Sequence, residues 1–179
     1  MGAERRLVLV RHAKSAYPHG VPDHDRPLTG KGRRTAQAAG RWLVAEGPRV
    51  SLALCSDATR ARHTWEIAGA ELERAGQAVP VRWEPQLYGT SPDGVLALVA
   101  QLPPAVATVL VVGHEPTMSG LARDLAGPGS DEGALAAVTV KFPTGAIAVL
   151  RFTGDWGALG PGVARLEAFV RPRPAPEHP

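Results

Sequence analysis

Short apolar runs alternate with longer amphipathic segments along most of the chain. A short apolar run bounded by polar or turn-forming residues is typical of a strand, and a continuous run such as "RLVLV" is typical of a strand covered on both faces. These runs predict six strands, at residues 6–10, 51–55, 81–83, 108–113, 137–142 and 146–152. Only "PTG" separates the last two, so we expect them to form a hairpin.

Between these runs, apolar residues recur at helical spacing. The pattern predicts helices at about residues 29–46, 58–75, 92–101 and 116–126. Thr29 is a suitable N-cap for the first helix, and glycines follow three of the four, as is common at helix ends. The alternation of strands and helices predicts an α/β fold: a three-layer sandwich with a mainly parallel sheet and an antiparallel edge.

The length of 179 residues fits one domain with a single core. We expect this domain to span residues 1–171. Residues 172–179 are rich in proline, which suits neither a helix nor a strand ladder, and are expected to form an extended or disordered tail. The Pro- and Gly-containing segments 16–27 and 127–134 are predicted to be loops.

Composition excludes several classes of protein. The formal net charge of +3 is compatible with anionic ligands but too small to predict nucleic-acid binding. Cys55 is the only cysteine, so the chain can form neither an intrachain disulfide nor a cysteine metal cluster. The sequence contains no apolar stretch of the about 18 residues that a membrane span needs, and no segment typical of a signal peptide. We therefore expect a cytoplasmic protein without membrane partners.

Charged side chains stand where three of the predicted strands end. Arg11 and His12 follow the first strand, His114 follows the fourth, and Arg60 lies in the first turn of the helix after the second. Because ligands of open α/β sheets bind at the carboxyl ends of the strands, we expect these side chains to share a pocket. Two like charges 4 Å apart repel by about 4 kcal/mol at an effective dielectric constant of 20, so the cluster indicates an anionic ligand. A phosphate group fits it.

A histidine in a phosphate pocket can also act as a nucleophile. Nearby arginines disfavour protonation of His12, which keeps a lone pair available for attack on phosphorus. Arg11, Arg60 and His114 would then stabilise charge on the phosphoryl oxygens. Taken singly, each of these residues is explained as well or better as a surface cation, a cap or a turn residue. Only their coincidence at three strand ends favours a catalytic site.

Four motifs, in order along the chain, extend this interpretation. "LVLVRHAKS", "RPLTGKGRRTA", "SDATRARHT" and "VLVVGHEPTMSGLA" resemble those of the histidine phosphatase superfamily, also called the phosphoglycerate-mutase-like family. The "RHA" start and the small size are most similar to its SixA-type phosphohistidine phosphatases. The resemblance implies a phosphoglycerate-mutase-like sandwich without metal or organic cofactor. It also implies that His12 is the phosphorylated nucleophile, with Arg11, Arg60 and His114 around the phosphate.

The resemblance does not identify the general acid. The acid-phosphatase and phytase branch has an aspartate directly after its second histidine, and Glu115 occupies that position here. Glu115 is equally well explained as an anion that complements a helix N-terminus. In the mutase branch a glutamate stands three residues before a Tyr-Gly pair, where this chain has Pro85, with Glu84 one residue away. A third possibility is that no acid is needed, because cleavage of a P–N bond releases imidazole rather than an alkoxide.

The leading hypothesis is a metal-independent phosphatase that acts through phospho-His12 on phosphohistidine proteins or small phosphomonoesters. The alternatives are phosphoryl transfer of the phosphoglycerate-mutase type and a non-catalytic module that binds phosphorylated ligands. "HGVPDHD", residues 19–25, has the residue types of a metal site, but a proline-rich loop provides no fixed spacing that directs them to one point. The sequence does not indicate an oligomeric state.

Overall fold

The computed structural model describes residues 2–176, which form a six-stranded sheet with helices on both faces. The strand order is β3-β2-β4-β1-β5-β6. The strands are β1 Glu4–Arg11, β2 Leu52–Cys55, β3 Val81–Trp83, β4 Thr108–Gly113, β5 Ile147–Thr153 and β6 Arg165–Val170. The first four strands are parallel, β5 is antiparallel to β1, and β6 is antiparallel to β5. The predicted α/β sandwich with an antiparallel edge is thus confirmed.

The four helices predicted from the pattern are present, with slightly shorter bounds. The helices are α1 Gly30–Ala45, α2 Thr59–Arg74, α3 Pro92–Val99, α4 Thr117–Leu125 and α5 Glu132–Val140. Thr29 caps α1, as predicted, because its hydroxyl accepts a hydrogen bond from the Gly32 N–H (2.9 Å). Short 3₁₀ turns lie at residues 23–25, 85–88 and 156–158.

Alternate residues of β1 bury their side chains on opposite faces of the sheet. Leu7 and Leu9 belong to a hydrophobic cluster with residues of α3, α4 and α5. Val8 and Val10 belong to a second cluster, with residues of α1 and α2. Each such buried side chain contributes about 1.5–3 kcal/mol of transfer free energy. Burial on both faces explains why the apolar run is continuous rather than alternating.

The predicted strand at residues 137–142 is wrong, because most of this segment belongs to α5. Asp131 caps this helix by accepting a hydrogen bond from the Ala134 N–H (2.7 Å). Ala134 and Val138, one helical turn apart, are buried in the core. Capping and burial outweigh the strand propensity of the two valines and the threonine in "AVTV". The hairpin expected around "PTG" is consequently also wrong, and the loop predicted over 127–134 is too long, because α5 begins at Glu132.

The antiparallel edge is instead formed by β5 and β6. The pattern does not predict β6 because "RLEAFV" mixes charged and apolar residues, as suits a partly exposed edge strand. β6 runs in the same direction as β1, since each is antiparallel to β5. The carboxyl ends of β1, β2, β4 and β6 therefore lie at one edge of the sheet, which we call the carboxyl edge.

Beyond β6, residues 171–176 contain neither helix nor strand, as their prolines predict. The boundary at residue 171 and the disorder of the tail stay predictions, and residues 177–179 of that tail lie outside the described residues. Within the described part of the chain, no helix has both the length and the apolar character needed to cross a membrane.

Candidate active site

The two predicted site histidines are neighbours because of strand register. Arg11, the last residue of β1, is paired with Gly113, the last residue of the parallel strand β4. The next residues, His12 and His114, therefore leave the carboxyl edge side by side. Their ring centroids are 5.1 Å apart, and the backbone N–H of His12 donates to the Gly113 carbonyl (3.0 Å).

His12 is oriented by its own backbone. Its Nδ1 lies 2.7 Å from the Ala13 carbonyl oxygen, which can only accept, so Nδ1 carries the hydrogen and Nε2 keeps its lone pair. Burial is the main cause that lowers the pKa of His12 to about 3; the neighbouring His114, Arg60 and Arg11 contribute in the same direction, and the Ala13 hydrogen bond opposes them. The ring is therefore neutral at physiological pH, with Nε2 unprotonated.

His114 is held by a serine that follows β2. Its Nε2 lies 2.8 Å from the Ser56 hydroxyl, and that oxygen also accepts from the Ala58 N–H (3.3 Å). A hydroxyl that donates to Nε2 leaves the hydrogen of the neutral ring on Nδ1. This buried Nδ1 has no hydrogen-bond partner among residues 2–176. Burial, together with the charge of Arg60, lowers the pKa of His114 to about 4.

Arg60 reaches the histidines from the first turn of α2. Its Nε donates to His12 Nε2 (3.3 Å), while Nη1 and Nη2 donate to the backbone carbonyl (2.7 Å) and carboxylate (3.1 Å) of Asp23. The same carboxylate accepts from the Tyr88 hydroxyl and from Arg26 (2.6 Å each). Hydrogen bonds from Tyr88 and Arg26, with the charge of Arg60, hold the pKa of Asp23 well below its usual range. Asp23 is thus a permanent carboxylate that fixes Arg60.

Arg11 is only partly satisfied by the protein. Its Nη1 donates to the Phe142 carbonyl (2.9 Å), but its buried Nε has no hydrogen-bond partner within the described chain. Burial lowers the pKa of this guanidinium, which nevertheless remains charged at physiological pH. Leaving a buried cationic donor unpaired is costly. A phosphate oxygen is an acceptor of the kind that Arg11 lacks.

These four side chains line one cavity of about 840 Å³ at the carboxyl edge. Further cations line it, namely Lys14, Arg26, Lys31, Lys141, Arg171 and Arg173. Among its described lining residues, Glu115 is the only carboxylate. The structure therefore brings together the four side chains that the strand ends predict, in a strongly basic setting.

Glu115 lies in the cavity wall but is bound to the start of α4. Its Oε1 accepts from the Ser119 backbone N–H (3.0 Å) and its Oε2 from the Ser119 hydroxyl (2.5 Å). This is the position expected of an anion that complements a helix N-terminus. The other candidate acid, Glu84, accepts a hydrogen bond from Arg82 (2.6 Å) and is not among the residues found to line the cavity.

The acidic and histidine residues of segment 19–25 are divided among separate contacts. His24 lies 2.9 Å from Asp57 and 3.3 Å from Asp25, whereas Asp23 binds arginines. Within residues 2–176, no group of three or more His, Cys, Asp or Glu side chains is arranged to hold a metal ion.

Sequence reasoning missed several residues of the site. Ser56 follows β2 at the carboxyl edge, so the strand-end rule that identifies His114 could have found it. Asp23 and Tyr88 lie in short 3₁₀ turns, whose positions hydrophobic periodicity does not encode. Arg171 and Arg173 follow β6, the strand that the pattern does not predict.

Comparison with known proteins identifies a family. A model of the histidine phosphatase superfamily (branch 1) matches residues 7–88. An uncharacterised protein of Mycobacterium tuberculosis is 47% identical over 165 residues, which covers 92% of this chain and 100% of that protein.

Solved structures extend the match over nearly the whole chain. A protein from Nakamurella multipartitia, provisionally assigned as the phosphohistidine phosphatase SixA, is 40% identical with a TM-score of 0.80, covering 96% of this chain and 99% of that one. A complex of the protein histidine phosphatase SixA with tungstate is 25% identical with a TM-score of 0.64, covering 93% of this chain and 97% of that one.

Proposed function

Since the chain belongs to the histidine phosphatase superfamily, in its SixA-type branch, we propose that it is a metal-independent phosphatase with His12 as nucleophile and phosphohistidine proteins as preferred substrates. Small phosphomonoesters are secondary substrates in this proposal. Its main support is the orientation of His12, whose unprotonated Nε2 carries a lone pair inside a cavity where many cations and, among the described lining residues, a single carboxylate are found.

The reaction proceeds in two displacements. The Nε2 lone pair of His12 attacks phosphorus, and the P–N bond to the substrate imidazole breaks, with its electron pair leaving on the imidazole nitrogen, which takes up a proton. Water then attacks phospho-His12, releases phosphate and restores the free ring. In both steps Arg11, Arg60 and the Nδ1–H of His114 bind the phosphoryl oxygens and stabilise their charge.

The contacts of Glu115 support a P–N rather than a P–O substrate. Both of its carboxyl oxygens accept hydrogen bonds from Ser119, which engages this group at the start of α4. A leaving alkoxide demands a strong proton donor, whereas imidazole is a better leaving group and takes a proton from water. The SixA neighbours, which are described as a phosphohistidine phosphatase and a protein histidine phosphatase, also favour a P–N substrate.

The alternatives have weaker support. The candidate for a mutase-like acid, Glu84, pairs with Arg82 and is not among the described residues that line the cavity, which disfavours phosphoryl transfer of the mutase type. A pure binding module needs no oriented nucleophile, and Nε2 of His12 is oriented.

Two peptides of identical sequence, one with phosphohistidine and one with phosphoserine, test the substrate class. We expect kcat/KM to be at least about tenfold higher for the phosphohistidine peptide. Glu115→Gln should change kcat/KM for this peptide by less than about threefold. Ser119→Ala, which frees the same carboxylate, is the matched control. Chelator should leave all rates unchanged. A preference for phosphoserine that Glu115→Gln abolishes would contradict the proposal.

A further inference from the structure

The residues that follow β6 form part of the cavity wall. Val170, the last residue of β6, is in register with Ile147 of β5, which is paired with Val10 of β1. The chain therefore leaves β6 at the carboxyl edge, level with the residues that precede His12. Residues 171–174, which we call the C-terminal strap, line the same cavity as His12 and His114.

The strap runs from the edge of the sheet towards α1. Residues 173–176 face Arg34, Gln37, Ala38 and Arg41 of α1 across a surface groove, and Lys31 and Thr35 at the start of that helix line the main cavity beside the strap. Prolines at positions 172, 174 and 176 restrict the backbone, so little conformational freedom remains to be lost when a ligand binds. Arg171 and Arg173 alternate with these prolines.

The cations of this wall lack a counter-ion in the described part of the chain. Arg171, Arg173, Lys31 and Lys141 are exposed and line the cavity, and none of them forms an ion pair with a carboxylate among residues 2–176. By contrast, Arg26 and Arg60 in the interior of the site share Asp23. Like charges gathered without counter-ions repel one another, which an anionic ligand relieves.

The inner pocket already accounts for one phosphoryl group. Arg60 donates to His12, and the rings of His12 and His114 are neighbours. With Arg11, which lines the same cavity, these side chains supply enough donors for three phosphoryl oxygens. The cations of the strap, Lys31 and Lys141 come from three other segments of the chain and are surplus to that requirement.

We propose that the C-terminal strap, with Lys31 and Lys141, forms a second anion subsite that selects substrates carrying a negative group beyond the reacting phosphoryl group. This inference rests on the proposed function and adds its substrate preference. The second group is a carboxylate beside the phosphorylated residue of a polypeptide, or a second phosphate of a small molecule.

Calorimetry with non-hydrolysable ligands tests the subsite without requiring turnover. Alkane bisphosphonates of two to six carbons are compared with the monophosphonate of equal length. We expect wild-type protein to bind the best bisphosphonate roughly fivefold to tenfold more tightly, the scale of two exposed arginines on one anion. The double variant Arg171→Gln/Arg173→Gln, which retains the prolines, should reduce this preference to within about twofold and leave the monophosphonate Kd unchanged.

The matched control removes two arginines from the opposite edge of the sheet. Arg49 and Arg165 are exposed there, and Arg49→Gln/Arg165→Gln should retain the full preference. In a kinetic arm, kcat/KM is measured on wild type and both double variants for phosphohistidine peptides flanked either by glutamates or by glutamines. A strap-dependent preference for glutamates identifies a polypeptide source, and one for bisphosphonates alone identifies a small molecule.

Some outcomes would overturn the inference. One is equal affinity for mono- and bisphosphonates together with no effect of the peptide flanks. The other is an equal loss of the bisphosphonate preference in the control double variant, which would indicate only the electrostatic field of the whole protein. Failure of the proposed function is distinguishable, since it appears as inactivity towards phosphohistidine while the calorimetric preference persists. A protein that binds no phosphonate at all would contradict both.

Discussion

Strand β1 carries an arginine near each end, and the two side chains differ in what satisfies them. Arg5, near the start, is 3% exposed and donates to the carbonyls of Gly154 (2.8 Å), Pro104 (3.0 Å) and Val106 (2.7 Å). Arg11, at the end, donates to one carbonyl and keeps a buried Nε without a partner in the described chain.

The surroundings of the two ends differ in the same way. Beside Arg5, the half-buried Arg6 and Arg151 both pair with Glu4 and Glu167. At the carboxyl edge, the cations that line the cavity outnumber Glu115, the one carboxylate among its described lining residues, which is bound to Ser119. Identical side chains on one strand therefore serve two purposes: at one end they complete the fold, and at the other they leave hydrogen-bonding capacity for a ligand.

Exchanging each arginine for glutamine should separate these purposes. Arg11→Gln is expected to lower kcat/KM by roughly 10²–10³, because a preorganised donor to the phosphoryl oxygens is lost, with unfolding free energy changed by less than about 1 kcal/mol. Arg5→Gln should lower the unfolding free energy by about 3 kcal/mol, because three carbonyls lose a charged donor, and should leave kcat/KM unchanged. Urea unfolding and steady-state kinetics on both variants measure this.

Equal effects of the two substitutions on activity would remove the distinction between the ends of β1. So would an Arg11→Gln protein with full activity.

The buried histidines make the carboxyl edge the acid-sensitive end. The pKa values of His12 and His114 are about 3 and about 4 in the folded protein, against about 6.5 when unfolded. Below pH 6.5 the unfolded chain therefore binds protons that the folded chain does not, and stability falls as pH falls. Each histidine should cost about 2 kcal/mol between pH 7.5 and pH 5.

Urea unfolding of His12→Asn in phosphate-free buffer checks this expectation. The variant should lose about 2 kcal/mol less than wild type over that pH interval. His19→Asn, in the exposed loop, is the control and should behave as wild type. If His12→Asn shows the wild-type pH dependence, the ring is not held neutral by the fold.

Asp23→Asn gives the smallest of these effects, because Arg60 keeps its bond to the Asp23 backbone carbonyl. Loss of the carboxylate should lower kcat/KM by about fivefold to tenfold, as expected when one charged hydrogen bond that positions Arg60 is weakened. The inhibition constant of phosphate should rise in parallel. Asp25→Asn, in the same 3₁₀ turn but bonded to His24, should stay within about twofold. A loss as large in Asp25→Asn would indicate damage to the loop instead.

The strand ends predict the inner site well because parallel strands impose their own geometry. Once β1 and β4 are adjacent, register alone places His12 beside His114. The partners of these groups are less predictable. Asp23 reaches Arg60 from a loop 37 residues earlier in the chain, and nothing in its spacing indicates that contact. The misassigned 137–142 segment shows the same limit, since Asp131 capping and burial of Val138 decide for helix over strand propensity.

The phosphorylated intermediate tests the central claim most directly. Protein is mixed rapidly with a phosphorus-32-labelled phosphohistidine peptide, quenched in base, separated from the peptide and digested. We expect a base-stable, acid-labile label on His12, and a His12→Ala protein that carries none and turns over at least about 10⁴-fold more slowly. Label on another residue, or undiminished turnover in His12→Ala, would contradict the assignment of the nucleophile.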